Sequence, residues 1–205
     1  MQIITPHYIF MNDRVSTNLS IAFDKKIQKI APFDELISIY PQAKVTTLRE
    51  NSLLMPGLIN AHVHLEFSAN KTDLSYGNFV SWLYSVIEKR EELMETCNTN
   101  CMTKATENML ENGITTFGAI SSHGMDLDVC ENAKQNVVFF NELLGSQAMM
   151  ADTLFGDFIS RLDASKSIKR DGFYPAVAIH SPYAVHPILV KKALDIVKNE
   201  GLKLI

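Results

Sequence analysis

The pattern of apolar and polar positions changes near Pro56-Gly57. Before that point, short stretches alternate apolar with polar residues between turn-forming residues, which is typical of short β-strands. The predicted elements are strands at 3–10, 19–23 and 44–48 and a helix at 34–40. Asp34 is expected to cap this helix and Pro41 to end it. Because so small a set of strands buries little apolar surface, we expect residues 1–56 to be a β-rich segment of a composite β-sandwich.

After Gly57, strand patterns alternate with helix patterns. The predicted strands are 58–65, 114–120, 136–142, 174–180 and 202–205, and the predicted helices are 76–94, 98–112, 125–134, 149–162 and 187–199. Such alternation predicts βα units and a parallel sheet in an α/β protein.

The number of these units indicates half of a larger domain. A complete (β/α)₈ barrel takes about 250 residues, more than the 205 of the whole chain. The chain also ends within an apolar strand, whose backbone groups need a neighbouring strand. We therefore expect residues 57–205 to be the first half of a (β/α)₈ TIM barrel, truncated in strand 5. The alternative is a complete five-stranded open α/β sheet.

Composition narrows the class of protein. Hydrophobic residues make up 46% of the chain, charged residues 20%, and the net charge is -4. Lys and Arg are scattered, so we expect neither a nucleic-acid partner nor a membrane partner. No apolar run approaches the roughly 18 residues of a membrane span, and no signal peptide is evident. The three cysteines are an odd number in a chain too large to need disulfides, which favours the reduced cytoplasm.

The candidate chemistry centres on His62 and His64. On a strand, residues i and i+2 point to the same face and lie about 6.6 Å apart along the chain. The pair lies at the carboxyl end of its predicted strand, where parallel barrels place their active sites. Neutral imidazoles are good ligands for zinc or iron. The alternative is a half-exposed strand that carries two histidines without a metal.

Two sequence blocks carry a resemblance to a known family. Met-Pro-Gly-Leu-Ile-Asn-Ala-His-Val-His at 55–64 and His-Ser-Pro-Tyr-Ala-Val at 180–185 resemble the amidohydrolase superfamily. The similar branch contains cytosine, guanine and adenosine-derivative deaminases and chlorohydrolases. Residues 79–83 are similar to the helix that covers the substrate in that family. The resemblance extends over essentially the whole chain and implies a metal-dependent hydrolase with a (β/α)₈ barrel.

Within that branch, residues 64–68 and 117–124 are similar to a subfamily of nucleoside deaminases. The resemblance implies deamination of 6-amino-6-deoxyfutalosine to futalosine and ammonia, in a route to menaquinone. Other members of the branch, acting on guanine, cytosine or methylthioadenosine or removing chlorine, are the alternatives. A catalytically inactive truncated chain is an alternative of another class. Members of the family often pair, so a homodimer is also considered.

The resemblance assigns roles to individual residues. His62 and His64 would be the first two ligands of one divalent ion, Zn²⁺ in the first place and Fe²⁺ as the alternative. A third histidine, a glutamate that carries the proton, and a further histidine and aspartate are expected beyond Ile205. His180 would contact the substrate rather than the metal, with metal binding and a structural role as alternatives. His186 is expected to be a solvated residue at the start of a helix.

Three further residues are candidate substrate contacts: Glu142, Ser122 and Glu88. Glu142 closes the third predicted strand, and its alternative is a salt-bridged residue at the rim. Ser122 belongs to the loop after the second strand, and its alternative is a capped turn. Glu88 lies near the position where relatives bind the sugar, and its alternative is surface exposure. Glu66 is expected either to bond a ligand histidine or to face a neighbouring loop.

Overall fold

The computed structural model describes residues 1–70 and 72–205. These residues form two compact units, Met1–Gly57 and Leu58–Ile205. The described helices include none that is both long enough and apolar enough to cross a membrane.

The first unit consists of two small sheets and one helix. Its elements are β1 Gln2–Thr5, β2 Tyr8–Met11, β3 Arg14–Thr17, β4 Ser20–Phe23, β5 Ile27–Ala31, α1 Phe33–Ile39, β6 Lys44–Thr47 and β7 Leu53–Leu54. One sheet has the order β5-β4-β1-β6 and the other the order β3-β2-β7. A small core of Ile3, Ala22, Ala31 and Leu36 joins α1 to the first sheet.

The strands near the N-terminus differ from the prediction. The single strand expected at 3–10 is wrong, because β1 and β2 belong to different sheets. Pro6 lies between them and has no N–H to donate to a strand ladder. β3 is not predicted from the sequence at all. It follows a two-residue turn in which Asn12 and Asp13 both have positive φ, 50° and 57°, a geometry suited to a tight hairpin.

The cap predicted for α1 is also wrong. The helix begins at Phe33, and Pro32 occupies the N-cap position without a side-chain hydrogen bond. Asp34 lies in the first turn instead, where a negative charge interacts favourably with the helix dipole. The helix ends at Ile39, one residue before the predicted end at Tyr40 and two residues before Pro41.

The second unit contains five strands in one sheet. Its elements are β8 Leu58–Val63, α2 Phe79–Thr96, α3 Thr99–Glu111, β9 Ile114–Ser121, α4 Leu127–Asn132, β10 Asn136–Leu143, α5 Ala151–Ser167, β11 Phe173–Ile179, α6 Pro187–Glu200 and β12 Lys203–Leu204. All neighbouring strands are parallel, and their order in the sheet follows the chain from β8 to β12. A (β/α)₈ barrel has this order, whereas doubly wound open sheets reverse direction at a switch point.

The helices cover the sheet through two buried apolar clusters. Phe117 and Phe139, on β9 and β10, are central to the first cluster. Phe158 on α5 and Leu189 on α6 belong to the second, with Val177 of β11. Strands that pack against helices carry apolar stretches bounded by turn residues, which explains why the βα pattern is legible in the sequence.

Local signals set the bounds of the last helix. The Nδ1 atom of His186 accepts the N–H of Ile188, and Pro187 occupies the first turn. Gly201 ends the helix in the left-handed conformation, with φ of 65°. His186 therefore acts as the N-cap of α6.

Candidate active site

A β-bulge shapes the end of the strand that carries the two histidines. The pairing of β8 with β9 shifts between Asn60 and Val63, so Ala61 and His62 lie opposite Gly118 alone. A Cβ atom at Gly118 would lie 2.5 Å from the carbonyl oxygen of Ala61, which explains the glycine. The side-chain oxygen of Asn60 accepts the N–H of His62 at 3.2 Å. Bulges of this kind redirect side chains beside active sites.

The two imidazole rings converge. The Nε2 atoms of His62 and His64 lie 3.3 Å apart. β8 ends at Val63, two residues earlier than predicted, so His64 is the first residue beyond the strand. Burial lowers the pKa of His64, and the charges of Glu142 and Glu66 only partly oppose this effect. This lowered pKa favours the neutral ring of His64, in which a nitrogen lone pair is available to a metal.

His180, Glu142 and Ser122 form one hydrogen-bonded cluster. His180 directly follows β11, and its Nδ1 atom lies 2.7 Å from Oε1 of Glu142. The hydroxyl of Ser122 donates to the other carboxylate oxygen. The Glu142 side chain is only 5% exposed, whereas that of His180 is 42% exposed. Glu142 thus orients an imidazole that remains accessible to a ligand, while its own predicted contact with substrate stays a prediction.

The structure favours the second of the two roles predicted for Glu66, in which its side chain faces the neighbouring loop. It lies in the 3₁₀ turn Leu65–Phe67 and is fully buried. Its carboxylate accepts the backbone N–H groups of Ser122, His123 and Met125 at 3.1, 3.0 and 3.3 Å. Hydrogen bonds from several N–H groups compensate a buried carboxylate charge.

Two further charged residues support the same strand ends. Asp126 is buried and accepts the hydroxyl of Ser121 at 2.6 Å. Burial, together with the charge of Glu66, raises the pKa of Asp126 to about 7. Arg161 of α5 donates to the backbone carbonyls of Ser121 and Glu142 at 3.1 and 2.8 Å. Neither residue is predicted from the sequence, because nothing local separates them from ordinary loop and helix-surface charges.

The structure therefore brings together most of the predicted site residues. His180 and Glu142 are close enough to His64 to influence its pKa. Glu88 is exposed on α2. Among the described residues, it takes no part in the hydrogen bonds of the cluster formed by His180, Glu142 and Ser122. Within 1–70 and 72–205, no group of three or more His, Cys, Asp or Glu side chains could hold a metal ion. The histidine pair is thus the candidate metal centre of the described chain.

Comparison with known proteins identifies the class. The sequence profile of the amidohydrolase family matches residues 53–205, and the chain belongs to this family. It is 47% identical over 201 residues to an aminodeoxyfutalosine deaminase of a Nitratiruptor species, a match that covers 98% of the chain and 49% of the relative. The chain spans about half the length of the curated relatives it matches.

Solved structures give the same picture. The crystal structure of Helicobacter pylori aminofutalosine deaminase in complex with methylthio-coformycin is 30% identical and has a TM-score of 0.90, covering 100% of this chain and 50% of that one. A zinc-bound adenosine deaminase from Xanthomonas campestris has a TM-score of 0.75 at 15% identity, covering 99% and 48%, and shows the likeness of fold alone. The predicted fold class, a partial α/β barrel preceded by β-rich strands, is confirmed.

Proposed function

We propose that the full-length protein is a metal-dependent hydrolase that deaminates an adenine-type nucleoside. The substrate we propose is 6-amino-6-deoxyfutalosine, which would yield futalosine and ammonia in a route to menaquinone. The observation that carries the proposal is the convergence of His62 and His64 beside the His180–Glu142 pair. The Nitratiruptor relative and the Helicobacter crystal structure are named aminodeoxyfutalosine and aminofutalosine deaminase, which supports this substrate, and a curated Helicobacter relative named adenosine deaminase supports the wider class.

The histidine pair fits a divalent metal ion. Two nitrogens bound to one tetrahedral zinc ion at 2.0–2.1 Å lie about 3.3–3.4 Å apart. The Nε2 atoms of His62 and His64 are separated by 3.3 Å. Imidazole nitrogens are common zinc ligands, so we propose Zn²⁺, with Fe²⁺ as the alternative. When bound, such an ion supplies Lewis-acid activation of water for hydrolysis.

The second pair of residues is suited to orient the heterocycle. In the tautomer with hydrogen on Nδ1, His180 donates to the Glu142 carboxylate at 2.7 Å. Its Nε2 atom is then free for one hydrogen bond to the bound nucleoside. Ser122 holds the other oxygen of Glu142, so the carboxylate cannot turn away from the ring without losing a second bond.

Ammonia release from the full-length protein tests this proposal. We expect turnover of aminodeoxyfutalosine, with adenosine, methylthioadenosine, guanine and cytosine as comparison substrates and a chlorotriazine for dechlorination. Turnover of another substrate but not of aminodeoxyfutalosine would refute the proposed substrate and support the class of metal-dependent hydrolase. Absence of turnover on every substrate, in protein shown to be folded and loaded with zinc, would favour the catalytically inactive alternative. A homodimer and a cytoplasmic location stay predictions.

A further inference from the structure

Glu66 connects the strand of the metal pair to the loop after the next strand. It lies two residues after His64, and its side chain is completely buried. One carboxylate oxygen accepts the N–H groups of His123 and Met125, and the other accepts that of Ser122. A buried carboxylate with three N–H partners holds a loop firmly, because releasing the loop would leave a buried charge unpaired.

The contacts continue from that loop to His180. Ser122 donates its backbone N–H to Glu66 and its hydroxyl to Glu142. Glu142 in turn contacts the ring of His180. A continuous series of hydrogen bonds therefore joins Glu66, two residues after His64, to the ring of His180.

We propose that Glu66 is a positioning residue for the deaminase reaction, acting through Ser122 and Glu142 on the ring of His180. This inference rests on the proposed function. In this arrangement, Glu66 sets where the substrate-facing imidazole lies relative to His62 and His64. Its role is thus to hold the heterocycle in register with the metal pair, without touching substrate or metal itself.

The variant Glu66→Gln distinguishes a role in positioning His180 from a role in which Glu66 only fills buried space. The amide retains one carbonyl oxygen, which can still accept the two N–H groups that share an oxygen in the parent. Its NH₂ group then faces the N–H of Ser122, donor against donor. The variant therefore breaks the Ser122 contact selectively and nearly preserves the volume. Glu95→Gln, at an exposed position on α2, is the matched control.

Steady-state ammonia release from the full-length enzyme provides the first readout. We expect Glu66→Gln to raise KM about tenfold, with a smaller change in kcat and an unchanged zinc content. In a Ser122→Ala background, the same change should alter kcat/KM by less than about twofold, because the connection is already broken. Additive effects of the two substitutions, or loss of zinc in Glu66→Gln, would overturn the inference.

A second readout does not depend on turnover. The Nδ1–H proton signal of His180 in the NMR spectrum reports its bond to Glu142. A shift or broadening of this signal in Glu66→Gln, but not in Glu95→Gln, is the expected result. An unchanged signal would refute the positioning role whether or not the protein is a deaminase. Failure of the parent enzyme to release ammonia would instead refute the proposed function. The NMR result would still show whether Glu66 affects the hydrogen bond between His180 and Glu142.

Discussion

Replacing Gly118 with alanine should displace the strand that carries His62. The added Cβ would lie 2.5 Å from the carbonyl oxygen of Ala61, whereas ordinary contacts begin at 3.4 Å. The two strands must therefore move apart by about 0.5–0.9 Å at this point to bring the distance to 3.0–3.4 Å, because the obstacle is backbone and not the end of a flexible side chain.

This displacement has consequences for stability and for metal binding. Overpacking of this kind costs about 1–3 kcal/mol of unfolding free energy. Ala61 directly precedes His62 in the bulge, and metal sites tolerate errors in ligand distance of only about 0.2 Å. We therefore expect zinc affinity to decrease about 10- to 100-fold, as it does when supports of metal ligands are removed.

Gly156 offers a matched control. It lies in the middle of α5, and a Cβ there would meet no atom within 4 Å. Because glycine costs about 0.5–1 kcal/mol relative to alanine inside a helix, Gly156→Ala should stabilise the protein by that amount. Zinc affinity should be unchanged in this variant.

Urea unfolding and zinc competition with a chelator measure both effects in the full-length protein. The two glycine-to-alanine changes should shift the unfolding free energy in opposite directions, and only Gly118→Ala should weaken zinc binding. If Gly118→Ala matches the parent in stability and zinc affinity, the close approach at the bulge does not position His62, and the reasoning is refuted.

Two other variants test residues of the candidate active site. Since burial raises the pKa of Asp126 to about 7, the folded state binds a proton that the unfolded state releases near its ordinary value of 3.8. The unfolding free energy should therefore decrease as pH rises from about 4 to 8. In urea titrations, Asp126→Asn should show a smaller decrease over the same pH range. An unchanged dependence of unfolding free energy on pH in this variant would contradict the raised pKa of Asp126. Glu142→Gln keeps one acceptor oxygen for the Nδ1–H of His180, places an NH₂ donor against the Ser122 hydroxyl and removes the charge, so kcat/KM for ammonia release should decrease about tenfold. Glu91→Gln, on the exposed part of α2, should not change it; equal values for the two variants would remove Glu142 from the site.

The parts of the fold that were predictable are those with local causes. The βα alternation follows from apolar strands that pack against helices, and its helix ends carry visible signals such as Gly201. The two-residue period of a strand predicts that His62 and His64 converge, as they do, but the bulge at Ala61–His62 and the end of β8 at Val63 are not legible in the sequence. Glu142 is a candidate because it closes a predicted strand, and His180 because the block at 180–185 resembles that of the family; their mutual contact is not predicted from the sequence.

The rest depends on contacts between distant segments. Arg161 reaches the ends of two strands only because α5 packs against the sheet in one particular register. Glu66 has the same sequence neighbours whether it bonds a histidine or a loop, so the tertiary structure alone decides. The missed strand β3 is a different case, because Asn12-Asp13 was a legible hairpin signal.

The most direct measurement of whether His62 and His64 bind a metal is an anomalous difference map, recorded at the zinc edge from crystals of the zinc-loaded full-length protein. We predict a single peak within about 2.0–2.1 Å of the Nε2 atoms of both residues. The same map from His64→Ala crystals should lack that peak. A protein that releases ammonia while its histidine pair shows no metal peak would contradict the proposed metal centre.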